Sequence, residues 1–189
     1  LQPTAKAVSN ITTTMRDGFP VLTSWTDPMQ ASCQQSYTIT VGDTNTWDDR
    51  ELPGNTQALT NDAVRAVDEK GLNATTWTNA VGVLENRATL ATDVTGAGNA
   101  GFLLVGAAYW AHTNDIRPDA ANPGKVKQIV TSYAFDVDES SGTAYANRQL
   151  HLLAKYGSFK DINNDKNPFK TVDANGATVT SNAEWEDPT

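Results

Sequence analysis

The clearest alternation of apolar and polar positions lies in residues 36–41, where Tyr37, Ile39 and Val41 fall on one face and Thr38 and Thr40 on the other. A period of two in β-branched and aromatic residues predicts a strand. It runs into Gly42-Asp43 and a polar stretch that carries Asp48 and Asp49. Residues 126–137, VKQIVTSYAFDV, read as a second strand, again ending among acids: Asp136, Asp138 and Glu139. Elsewhere the spacing is helical. Thr60 can cap a helix with Ala63, Val64 and Val67 inward and Gly71 as its stop. Trp77, Ala80, Val81 and Leu84 predict a helix over 74–87. Residues 100–112 are apolar on nearly every side, which predicts a helix central to the fold. A last helix is predicted over 147–156, with Leu150, Leu153 and Ala154 inward and Gly157 stopping it. Two apolar strands separated by helices are expected to be parallel neighbours joined by a crossover.

The intervening segments punctuate this α/β pattern. Residues 1–30 read as an extended lead-in with at most a short helix over 5–10, since Pro20 and Pro28 forbid a long one. Pro53-Gly54 marks a turn in the polar loop 43–60; residues 89–99 read as loop, and Pro118, Pro123 and Gly124 make 113–127 another. Residues 31–160 are expected to form the α/β domain, and 161–189 a polar tail with a possible calcium loop.

Composition narrows the function classes. A chain of 189 residues is one ordinary domain or one with extensions. Its formal charge of -8, from 22 acids against 14 bases, argues against nucleic acid as a partner. Cys33 is the single cysteine, so an internal disulfide and a multi-cysteine zinc site are both out. The longest apolar run, residues 100–111, is too short for a membrane span, which needs about 20. The chain opens on Leu1 rather than methionine, as expected of a processed or cleaved chain, and no signal-peptide pattern is read in it.

Three groups of residues carry candidate chemistry. Asp43 at a strand end can ligate Mg²⁺ or Ca²⁺, with Thr44 and Thr46 adding hydroxyls; the competing and preferred reading is a solvated acidic loop whose Asp caps a turn. Asp161, Asn163 and Asp165 in DINNDKN have the alternate spacing of a calcium loop, although position six is Lys166 rather than glycine and position twelve is Val172 rather than glutamate. The competing reading is an Asn/Asp-rich turn. His112 and Asp115 can form a base and its orienting carboxylate, or His112 can simply end its helix while Asp115 caps a loop. Trp47 is a candidate exposed aromatic beside the acidic loop, and Cys33 is a free thiol or a partner for a cysteine outside the chain.

Four blocks, SCQQSYTITVGDTNTWDDRELPGN, GFLLVGAAYWAHTNDIRPD, VKQIVTSYAFDVDE and QLHLLAKYGSFKD, span residues 32–161 and resemble, in order, the N-terminal region of the PilY1/PilC type IV pilus tip proteins. The resemblance implies a von Willebrand factor A-like, Rossmann-like α/β fold with a mostly parallel sheet flanked by helices. It implies a non-enzymatic, extracellular, pilus-associated or adhesive role at the bacterial cell surface. Pilus proteins, the remainder of a parent protein, and a host or surface receptor are the implied partners. The Asp-x-Ser-x-Ser loop that opens the A-domain metal site does not occur in these residues, so a partial domain, its C-terminal half, is expected. Recognition is expected near Asp43 and Asp136, assisted by Ca²⁺ or Mg²⁺. Two rivals stand beside this reading: a small hydrolase using Asp43 or His112/Asp115, and a structural subunit that self-assembles, which an apolar patch or an unpaired sheet edge would favour.

Overall fold

The computed structural model describes residues 13–16, 19–22, 31, 33–43, 52, 54, 72–93, 101–116, 127–137 and 144–185. The helix expected over 60–71 lies outside them, as do Trp47 and residues 44–50. Within 1–30 the chain forms an antiparallel ribbon of β1 (Thr13–Arg16) and β2 (Phe19–Leu22), paired from Thr13 with Leu22 to Arg16 with Phe19. Pro20 fits there because each strand of a two-stranded ribbon is an edge, where a missing donor is tolerated.

The central sheet is β3 (Ser36–Asp43) and β4 (Val130–Val137). They are parallel, in register from Ser36 with Val130 to Asp43 with Val137, as the separation of the two runs by helices requires. Between them come α1 (Ala74–Leu84) and α2 (Leu103–Thr113), and after them α3 (Gln149–Gly157). The fold is mixed α/β, with helices gathered on one face of a small parallel sheet.

Both ends of α1 have a local cause. Asn73 caps α1, its side chain accepting from Thr76 N at 2.9 Å. The helix stops at Leu84, short of the expected Arg87, because Asn86 turns left-handed at φ 58°. Arg87 N–H then bonds back to Gly82 O and Asn86 N–H to Val83 O, a Schellman closure. Residues 90–92, expected as loop, form a 3₁₀ turn that buries Leu90 and Ala91. Gly157 proves to be the last residue of α3 rather than a stop beyond it, and its role is proximity: a Cβ there would lie 2.7 Å from Ser132 Cβ on β4.

The core is Val81, Leu90, Phe102, Val105, Tyr109, Leu152, Leu153, Tyr156 and Phe159, with aromatic edges meeting at Tyr109 and Tyr156. The central position expected for the apolar helix holds, but Leu104 is only partly buried while Leu103 and Val105 are closed off. Glu85 ties α1 to α3: it accepts from Lys155 Nζ at 2.5 Å and from the Tyr156 hydroxyl.

The sheet faces are assigned in an unexpected sense. The small and polar face, Thr38, Thr40, Gly42, Ser132 and Ala134, turns toward the helices. The apolar face of Tyr37, Ile39, Val41, Tyr133, Phe135 and Val137 is exposed, Ile39 to 75% and Phe135 to 64%. Parallel strands are ordinarily apolar on both faces because both are covered. Here the close approach of α3 to β4 selects small residues on one face, and the bulky set is left for the other.

Beyond α3 the stretch expected as a polar tail carries an antiparallel hairpin of β5 (Lys170–Val172) and β6 (Thr178–Thr180). The chain then returns to the core, where Trp185 meets Tyr156, Phe159 and Phe169 edge-on.

Candidate functional site

The loop 161–167 leaves the end of α3 and is shaped by its own side chains. Asp161 Oδ1 accepts from Lys166 N at 3.1 Å, Asn163 Oδ1 from Asp165 N at 3.0 Å, and Asp165 Oδ1 from Asn167 N at 2.7 Å. Such side-chain-to-backbone bonds wind the loop about its own carboxylates. Lys166 holds φ 63° where a calcium loop ordinarily has glycine, a conformation costing a non-glycine residue about 1–2 kcal/mol. Its contacts offset that cost: its carbonyl accepts from the Tyr109 hydroxyl, and its ammonium donates to Asn114 Oδ1 at 2.7 Å and lies 5.0 Å from the Trp77 ring centre. Burial lowers the Lys166 pKa, with Lys127 adding to the effect.

A residue that the fixed spacing of the calcium loop does not find completes the cluster. Glu184, on the far side of the β5–β6 hairpin, places a carboxylate oxygen within 4.8 Å of oxygens of both Asp161 and Asp165. Its side chain is fully shielded from solvent, and neither oxygen makes a hydrogen bond of normal geometry. Asp161 Oδ2 is likewise buried without a hydrogen bond. Desolvation pushes the Glu184 pKa up and the charges of Asp161 and Asp165 push it further, while the nearby backbone N–H groups of Asn163 and Ile162 act in the opposite sense. Lys127 stands at the rim, 3.9 Å from Asp161 Oδ2 and hydrogen-bonded to Asn164. The clue to Glu184 in the sequence is its neighbour Trp185, an aromatic that packs partly buried against the core.

The other expected site residues are dispersed. Asp43 closes β3 opposite Val137, but its side chain lies outside the described residues. Asp136, expected at a recognition edge, instead turns toward α3 and pairs with Arg148 at 3.5 Å, its side chain 9% exposed. His112 and Asp115 do not form a dyad: the His112 ring nitrogens face Val130 O at 3.3 Å and Phe159 O at 2.5 Å, while Asp115 Oδ1 accepts from Gln128 N at 3.2 Å. His112 therefore ties α2 to β4 and to the end of α3, and Asp115 holds the strand approach. His151 packs tilted against Tyr145, with ring centres 4.4 Å apart, and burial lowers its pKa. Cys33 is a free, exposed thiol. No helix among the described residues is long and apolar enough to cross a membrane.

No protein-family model matches the chain, and no solved structure does. Among curated proteins, a type IV pilus biogenesis factor PilY1 homolog of Xylella fastidiosa (strain Temecula1) is 34% identical over 192 aligned residues, covering 89% of this chain. The chain spans 15% of that relative's length. On that match, which covers 89% of its length, the chain is a PilY1-like type IV pilus sequence.

Proposed function

We propose that this chain is a non-enzymatic, surface-exposed recognition module of a type IV pilus-associated protein. The observation that carries the reading is the match along 89% of the chain to a type IV pilus biogenesis factor. The parallel β3–β4 pair supports the A-domain-like part of the reading, since helices on one face and an uncovered apolar face on the other are what half of a doubly wound layer leaves. Recognition belongs at the carboxyl ends of the strands, where Asp43 and Val137 lie side by side. The partners are other pilus proteins and a surface receptor, and the place of action is the cell exterior. The test is an in-frame deletion of this segment from the parent gene, scored separately for surface pili, twitching and attachment. Loss of attachment with normal piliation supports recognition; wild-type values in all three assays refute it.

One observation favours a second reading, a structural role. Six apolar side chains in register, Tyr37, Ile39 and Val41 beside Tyr133, Phe135 and Val137, form an exposed face of the kind that marks an interface. In this reading further parts of a longer parent polypeptide cover that face, as the relative in Xylella fastidiosa is far longer than the segment this chain matches. Replacing Ile39 and Phe135 by serine in the parent protein would then abolish piliation as well as attachment.

A further inference from the structure

We propose that Asp161, Asp165 and Glu184 form a calcium site that fastens the C-terminal hairpin to the helical core. The site goes beyond the recognition reading and does not depend on it. It lies toward the amino ends of β3 and β4, where Asp161 and Asn164 share a groove with Tyr37, Ile129 and Thr131, away from Asp43.

Clustered acids alone mean little, because solvated carboxylates commonly gather at a surface. Glu184 is different in being shielded completely, with neither oxygen in a hydrogen bond of normal geometry, and in standing beside two further carboxylates. An ionised carboxylate so placed is costly unless a cation meets it. Lys127 does not fill this role: its ammonium is 3.9 Å from Asp161 Oδ2 and is engaged with Asn164. The space between the three carboxylates is the place where opposite charge is missing.

The donor set selects the ion. Every side-chain donor is an oxygen, which suits a hard cation. Oxygens on opposite sides of a Ca²⁺ with bonds of about 2.3–2.6 Å stand roughly 5 Å apart, and around Mg²⁺ only about 4 Å. All three oxygens lie within 4.8 Å of one another, a span that Ca²⁺ can bridge. Glu184 takes the part that the glutamate at position twelve plays in a contiguous calcium loop, delivered by the returning hairpin instead of by the loop itself. Its neighbour Trp185 is seated among Tyr156, Phe159 and Phe169, so an ion held by Asp161 and Glu184 clamps both ends of the segment 161–185.

The experiment uses the purified chain in chelator, in Ca²⁺ and in Mg²⁺, read by thermal unfolding, with Tb³⁺ luminescence sensitised by the adjacent Trp185 as a direct measure of binding. Wild type is expected to gain a saturable rise in melting temperature with Ca²⁺ and a Tb³⁺ signal that Ca²⁺ displaces. Glu184→Gln should lose both, yet melt no lower than wild type in chelator, since it removes a buried carboxylate crowded by Asp161 and Asp165. Asp165→Asn, at an exposed side chain, should fold as wild type does and weaken Ca²⁺ binding on the order of ten-fold or more. The absence of a Ca²⁺-dependent shift in wild type overturns the proposal. So does a shift that survives both substitutions, and an equal or larger shift with Mg²⁺ overturns the choice of ion.

Discussion

Replacing Gly106 by alanine sets helix propensity against packing, and the structure says which wins. Gly106 sits inside α2, where alanine is favoured over glycine by about 1 kcal/mol. A Cβ at that position would lie 2.2 Å from Thr78 Oγ1, 2.3 Å from Thr78 N and 2.8 Å from Ala74 O, so even if the Thr78 hydroxyl swings aside it still meets the backbone of α1. The helices must retreat by roughly 0.7 Å at the crossing before the contact is even tolerable, and a gap of that size forfeits about a quarter to a half of each van der Waals contact it opens. Thr78, fully buried at the crossing, and its neighbour Val81 lose contacts together. Overpacking of this kind costs about 1–3 kcal/mol, with a backbone clash at the upper end. The expected net loss is about 2 kcal/mol, or roughly a 4–8 °C fall in melting temperature for a chain of this size. Urea denaturation of Gly106→Ala measures it. Adding Thr78→Ala should not rescue the variant, because the clash with Thr78 N and Ala74 O remains. A neutral or stabilised Gly106→Ala, or full rescue by Thr78→Ala, would refute the backbone-limited crossing.

At the second close approach the opposite behaviour is expected. Gly157→Ala should cost about 1–2 kcal/mol, and Ser132→Gly should recover much of it, because the obstruction is Ser132 Cβ at 2.7 Å; a double-mutant cycle with coupling below about 0.5 kcal/mol would show that α3 sits less tightly on β4. The face assignment of the sheet makes a third test. In the isolated chain Ile39→Ser should change stability by no more than about 0.5–1 kcal/mol, since the side chain is 75% exposed, whereas Leu152→Ala, at 1% exposure, should cost about 2–5 kcal/mol. Comparable losses by chemical denaturation would mean that the apolar strand face is covered within this chain. Tyr156→Phe should cost about 1–3 kcal/mol by the same measurement, because it takes the hydroxyl from Glu85 in a half-buried cluster with Lys155; a change within error would remove that bond from the account.

Much of the frame is legible along the chain. The alternation at Tyr37, Ile39 and Val41 identifies β3, the nearly continuous apolar run identifies α2, and two apolar strands separated by helices imply parallel pairing. These are local signals, because period and propensity are properties of consecutive residues. The four blocks between residues 32 and 161 were likewise enough to indicate the pilus relationship, which the 34% identity to the Xylella protein bears out. Element ends were less legible: α1 stops at Leu84 because Asn86 takes a left-handed turn and Gly82 alone leaves room for Arg87 O, a geometry that periodicity does not encode.

What only the tertiary structure decided are the relations between distant segments. Alternation tells that a strand has two faces but not which one meets the helices; the narrow approach of Gly157 to Ser132 settles that, and it turns Ile39 and Phe135 outward. Sequence proximity allowed a pairing of His112 with Asp115 but favoured separate structural roles, and the ring nitrogens are indeed directed at Val130 and Phe159, because β4 and the end of α3 pack against α2 there. In the same way the spacing of Asp161, Asn163 and Asp165 marked a calcium-like loop, while the glutamate beside it comes from beyond a hairpin whose length no motif fixes. Glu184 reaches the cluster because Lys160 N–H bonds its carbonyl at 2.7 Å and Trp185 packs its ring against the aromatic core, and a contact made by packing across a hairpin leaves no periodic trace in the sequence.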